Sequence, residues 1–94
     1  DQVMDSITDS TTILIYPNPA KDKVHIKIIS ENESPVNIKV LDLKGQLVHF
    51  QSSRLQEGEN KITLDLSQIH NGLYVIEIST TENVHRGKLL VKKK

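Results

Sequence analysis

Apolar and polar residues alternate along most of this 94-residue chain, with a period of two rather than the 3.6 of a helix. Residues 12–16 open the series with Ile13, Leu14 and Ile15. In the next run, 23–30, Val24, Ile26 and Ile28 interleave with His25, Lys27 and Ile29. Val36, Ile38 and Val40 share one face of residues 36–41, and residues 46–52 form a fourth run. Ile62, Leu64 and Leu66 face one way over residues 61–66, and Tyr74, Ile76 and Ile78 alternate with Val75 and Glu77 over residues 73–80. The last run is 84–92, with Leu89 and Val91 as its inward set although Leu90 blurs the phase.

Turn chemistry separates these runs. Pro17 and Pro19 lack an N–H and push Tyr16 and Asn18 out of the helical region, so residues 17–19 read as a stiff extended elbow. Asp42 and Gly45 suit the first and last positions of a type I turn that re-enters a strand through a left-handed glycine. Residues 31–35 read as a polar turn and 57–60 as a loop. Residues 67–72 read as one tight helical turn, with Ser67 near its N-cap and Asn71 or Gly72 supplying a positive φ. Seven short strands and no long helical period predict an all-β sandwich, with a closed barrel as the alternative. Its expected core holds Val24, Ile26, Ile38, Val40, Leu64, Ile76 and Val91.

The length predicts one domain with a modest core, burying roughly 60–65% of the unfolded chain's surface. Residues 1–11 lack an apolar period and carry Asp1, Asp5 and Asp9, so they read as a linker, with the domain proper at 12–94. A start at Asp1 reads as a piece of a longer protein, and the polar, acidic opening does not read as a signal peptide. The ending at 92–94 carries no obvious tag and is compatible with a natural C-terminus. No apolar run reaches the ~20 residues of a membrane span. Twelve basic residues balance twelve acidic ones, which disfavours general nucleic-acid binding. Positive charge nevertheless gathers at the end, on Arg86, Lys88, Lys92, Lys93 and Lys94, where the expected arrangement is a solvated edge strand protected by lysines.

Candidate chemistry is sparse. His25, His49, His70 and His85 show no ligand spacing and no cysteine supports them, so all four are expected to face solvent, with no metal and no cofactor. Asp65, Ser67 and His70 have the residue types of a hydrolase triad, yet such triads are assembled from distant positions and no GxSxG elbow is present. Neither a phosphate-binding glycine loop nor a calcium-loop cluster occurs. With no tryptophan, and with Tyr16, Phe50 and Tyr74 on strands, an aromatic sugar-binding platform is not indicated; Tyr74 is expected in the core with its hydroxyl at the rim.

Four blocks carry a resemblance. Residues 16–20, Tyr-Pro-Asn-Pro-Ala, lead into the alternating run 21–26; residues 40–48 place Asp42 and Gly45 in a hairpin; residues 64–76 hold Leu66-Ser67, Gly72 and Tyr74; and residues 87–93 form a lysine-rich strand. In this order they resemble the C-terminal sorting domains of the type IX secretion system, type A. The resemblance implies an immunoglobulin-like seven-strand antiparallel β-sandwich without catalysis, attached to a cargo in certain Gram-negative bacteria. It implies recognition in the periplasm by an outer-membrane translocon and its shuttle proteins, delivery to the outer-membrane surface or the medium, and removal by a sortase-type cysteine protease. The residues it marks for sorting are Tyr16, Pro17, Asn18, Pro19, Ala20, Asp42, Gly45, Gly72, Tyr74, Lys88 and Lys92. The alternative is an immunoglobulin-like or carbohydrate-binding accessory module of a surface enzyme or adhesin.

Overall fold

The computed structural model describes residues 2–4 and 12–93. Eight strands appear in chain order: β1 (Gln2–Met4), β2 (Thr12–Tyr16), β3 (Lys23–Ser30), β4 (Ser34–Leu41), β5 (Leu47–Leu55), β6 (Gly58–Asp65), β7 (Gly72–Ser79) and β8 (Val84–Val91). No helix forms among the described residues. Two antiparallel sheets result, ordered β1-β2-β3-β6 and β5-β4-β7-β8. Strands β2 to β8 make an immunoglobulin-like sandwich. The closed-barrel alternative fails because the two sheets remain separate.

Alternation places the core as the sequence implies. Ile13 and Ile15 of β2, Val24, Ile26 and Ile28 of β3, and Ile62 and Leu64 of β6 turn inward from the first sheet. Val36, Ile38 and Val40 of β4, Tyr74, Ile76 and Ile78 of β7, and Leu89 and Val91 of β8 meet them from the second. All seven expected core residues are buried. Side chains of period two pointing to opposite faces are what makes this pattern readable, since a one-residue slip would expose the whole set.

The strand ends differ from the expected ones where pairing, not apolar pattern, decides. Strand β5 continues to Leu55, although its inward positions His49, Gln51 and Ser53 are polar, because β4 offers ladder partners as far as Ser34. Strand β6 begins at Gly58, paired with Ser30, so Glu59 and Asn60 lie in a strand instead of a loop. The Asn60 amide secures that entry: its Oδ1 accepts the Gln56 N–H at 2.8 Å and its Nδ2 donates to the Gln56 carbonyl at 2.9 Å. Within the segment read as linker, Gln2–Met4 pairs with β2; residues 5–11 lie outside the described residues.

The expected helical turn at 67–72 is a tight turn instead. The Ile69 N–H donates to the Leu66 carbonyl at 3.0 Å, and Asp65, not Ser67, supplies the cap by accepting the Ser67 N–H at 2.9 Å. A carboxylate two residues upstream forms this Asx-type turn, which leaves no need for a serine cap. Gly72 does carry the positive φ, but at 158° it is close to extended backbone.

His85 departs fully from the expected solvent exposure, and His49, turned inward opposite Val40, departs in part. His85 is only 4% exposed, because the phase of β8 turns positions 85, 87, 89 and 91 inward and sends Leu90 out. His25 and His49 are half-buried and His70 is exposed.

Candidate functional site

The residues marked for sorting gather at one end of the sandwich. The elbow begins where β2 stops: Tyr16 pairs with His25, and the two rings lie 5.4 Å apart between centroids. Both the Tyr16–Pro17 and Asn18–Pro19 bonds are cis. Pro17 and Pro19 point to solvent, whereas Ala20 is fully buried.

Past the elbow, the chain lies against the outer edge of β8. The Asn18 Nδ2 donates to the Lys88 carbonyl and the Leu90 N–H donates to Asn18 Oδ1, both at 3.0 Å. The side-chain amide thereby takes the place of a peptide group in a ladder. The next rung uses real backbone: the Ala20 N–H donates to the Leu90 carbonyl and the Lys92 N–H to the Ala20 carbonyl, each at 2.8 Å, forming a short parallel bridge between Ala20 and Val91. This corrects the expectation that β8 offers an open, solvated edge. The Lys88 carbonyl, the Leu90 N–H and carbonyl and the Lys92 N–H of its outer edge already have partners.

The basic end is also less solvated than expected. Lys93 folds back, its Nζ donating to the carbonyls of Leu66 at 2.8 Å and Ser67 at 3.0 Å, while its backbone N–H donates to Asn71 Oδ1 at 2.9 Å. A cation on the exposed carbonyls of a turn satisfies acceptors that would otherwise need water. Lys88 and Lys92 remain exposed.

Tyr74 and Gly72 brace the same end. The Tyr74 hydroxyl donates to the His70 carbonyl four residues upstream at 2.6 Å. This is the tyrosine corner of immunoglobulin-like sandwiches, tying the crossover between sheets to the strand that follows it. Gly72 sits opposite Val91, and a Cβ there would meet the Tyr74 ring at 3.5 Å, an ordinary contact. Asp65 closes the turn from the other side. Its carboxyl is held below the usual carboxylate range, first by the Ser67 backbone N–H, then by the Ser67 hydroxyl, with Lys23 and His49 adding to the effect.

The hairpin turn at 42–45 forms as expected. The Gly45 N–H donates to the Asp42 carbonyl at 3.0 Å and Gly45 takes φ of 87°, a conformation that favours glycine. Asp42 Oδ1 accepts the N–H groups of Lys44 and Gln46, both at 2.9 Å. The pairing of Leu41 with Val75 brings this turn to the end of the sheet where Gly72 lies. The structure therefore brings Asn18, Ala20, Lys88 and Lys92 into direct contact, seats Gly72 and Tyr74 beside them through β8, and leaves Asp42 and Gly45 in a neighbouring turn.

Asn71 and Lys93 are absent from the residues marked by sequence. Three consecutive lysines give no signal of which one folds back, and Asn71 reads as an ordinary turn residue. Among the described residues no group of three histidine, aspartate or glutamate side chains converges as a metal site.

The clasp on β8 has a measurable weight. Asn18→Ala removes both side-chain bonds and is expected to cost about 1–2 kcal/mol at this half-exposed position. Amide exchange at Leu90 is expected to rise in step. Asn18→Asp should do no better, because it sets an oxygen against the Lys88 carbonyl. Thermal melts and site-resolved hydrogen exchange check both, and an Asn18→Ala domain matching the parent in each would remove the clasp from the account.

Comparison with known proteins gives two kinds of match. A family described as secretion system C-terminal sorting domain matches residues 14–92. No curated protein matches the chain. Among solved structures, the chain is similar to part of dimeric latent PorU from Porphyromonas gingivalis, with a TM-score of 0.69 and 20% identity over 89% of this chain and 9% of that one. It is also similar to part of a β-glucosidase from Listeria innocua in complex with isofagomine, with a TM-score of 0.50 and 17% identity over 87% of this chain and 16% of that one. The chain thus spans a small fraction of either protein, and at such identities the likeness is one of fold.

Proposed function

Since residues 14–92 place this chain in the secretion system C-terminal sorting domain family, we propose that it acts as a folded export signal, read by the type IX outer-membrane translocon and its shuttle proteins. The cargo attached to it passes through the periplasm and reaches the outer-membrane surface or the medium. A sortase-type cysteine protease then cuts upstream of residue 12, with residues 1–11 serving as the linker and 12–94 as the signal. The observation that carries this reading is the family match over nearly the whole domain, from before the first sequence block to residue 92 of the fourth. The arrangement suits the role. A signal read after folding has to be self-supporting, and here the elbow, the tyrosine corner and Lys93 brace one end of the sandwich.

The test is a periplasmic reporter fused ahead of residues 1–94 in a host that has the type IX machinery. The reporter is expected at the surface or in the medium, with the domain missing from the exported product. A fusion that folds yet stays in the periplasm would overturn the sorting role and favour an accessory module in a surface protein.

A further inference from the structure

The outer face of the β5-β4-β7-β8 sheet is apolar where a two-sheet sandwich has no need of it. The ladder register sets Leu47 opposite Leu41, Leu41 opposite Val75, and Leu73 opposite Leu90, so these side chains adjoin across the sheet at the end that carries the sorting residues. Phe50, the one phenylalanine of the chain, lies in the next row opposite Lys39 and is 49% exposed. Leu47, Leu73 and Leu90 are exposed as well. Single exposed apolar residues are ordinary, but a contiguous group costs solubility and marks a contact surface. The middle of the opposite sheet shows the ordinary arrangement, with His25 and Lys27 of β3 and Lys61 and Thr63 of β6 turned outward.

Charge around the patch is predominantly positive, although Glu77 stands opposite Lys39. Lys39 and Lys88 border the apolar rows directly, and Lys44 stands in the adjoining turn. The acids of the neighbourhood are already engaged. Asp42 Oδ1 accepts two backbone N–H groups within its own turn, and Glu77 holds Arg86 at 2.8 Å. What the face presents to a partner is therefore an apolar centre with an excess of positive charge at its border, Lys39, Lys44, Lys88 and Arg86 outnumbering Asp42 and Glu77.

We propose that this face is the surface through which the export machinery reads the domain, and that it takes a protein surface with an apolar centre flanked by carboxylates. The inference rests on the sorting role above and names the contact that role requires. Complementary charge at such a border steers encounter and excludes wrong partners, while the buried aromatic and leucine side chains supply the affinity. The clasp of residues 18 and 20 on β8 serves this face too: it holds the edge strand that carries Leu90 and Lys88 in register with β7.

The test uses the same reporter fusion with Phe50→Ser plus Leu47→Ser, and separately with Lys39→Glu plus Lys88→Glu. Lys61→Ala on the opposite sheet is the control. Each domain is first melted alone to show that it folds. Export is expected to fall about tenfold or more in the two patch variants, as for the loss of an interface anchor, and to stay at the parent level in the control. Should Phe50→Ser plus Leu47→Ser fail to fold, the charge-reversal pair decides, since it alters no buried side chain. Parent-level export from folded patch variants overturns the proposal while leaving the sorting role intact. A folded parent fusion that is not exported removes both. An anionic lipid surface is the other occupant this chemistry would suit. If the isolated domain binds vesicles of phosphatidylcholine and phosphatidylglycerol and the charge reversal abolishes that binding, while export is unaffected, the face belongs to a membrane and not to a protein.

Discussion

A domain shortened by residues 89–94 is expected to lose its cooperative fold. The cut removes Leu89 and Val91, both buried to within 1% of complete and both inside the core. Burial of each such side chain contributes about 1.5–3 kcal/mol. It also removes the Leu90 and Lys92 groups that hold Ala20, the Leu90 N–H that holds Asn18, and the Lys93 ammonium on the 66–67 carbonyls. Against a total stability of about 5–15 kcal/mol for a domain of ordinary size, these losses together leave little. Circular dichroism should show no sigmoidal melt, and the corresponding fusion should stay in the periplasm. A shortened domain that still melts cooperatively would show that β8 is dispensable and that the clasp on it is ornament.

Ile76→Ala is expected to cost about 2–5 kcal/mol, the range for deleting most of a large buried side chain. Ile76 is fully buried at the centre of β7, opposite Val40 on one side and Gly87 on the other. Gly87 has no side chain with which to fill the gap, so the cavity cannot collapse from that direction. Ile76→Val, which removes a single methylene, should cost about 0.5–1.5 kcal/mol and serves as the scale. For a domain of this size each kcal/mol lowers the melting temperature by roughly 4–8 °C, so the two variants separate easily in a thermal scan. An Ile76→Ala melt indistinguishable from the parent would contradict the packing described.

The inner faces of both sheets were legible in the sequence because burial of one face imposes a period of two. Val24, Ile26 and Ile28, or Tyr74, Ile76 and Ile78, announce themselves without any knowledge of their neighbours. The Asp42–Gly45 turn was legible for a similar reason, since its demands are met within a few residues. What stayed hidden depends on residues far apart in the chain. Along β5 the inward positions before Leu55, His49, Gln51 and Ser53, are polar, so the alternation does not show how far the strand runs, and its extent is set by β4. The resemblance marked Asn18, but its work becomes visible only when β8 lies beside it, and the same holds for Lys93 over the 66–67 carbonyls. His85 was misplaced because a histidine next to Arg86 carries no sign of strand phase; Leu89 and Val91 fix that phase, and position 85 follows from it by counting back in twos.

The contact between Asn18 and residues 88–90 joins points 70 and 72 positions apart along the chain. Closing so long a loop is entropically unfavourable until other contacts have drawn its ends together. A chain being made from its N-terminus presents the elbow early and finds nothing for it to hold until the far strand has been added. A product that stops short, or whose last strand is misplaced, deprives Asn18 and Ala20 of the β8 groups they bind and leaves the edge of the second sheet undefined. The clasp thus records, in two rungs of hydrogen bonds, that the early and late strands of the sandwich have both been made and have met. A receptor sensitive to the geometry at this end would be inspecting completeness as well as identity.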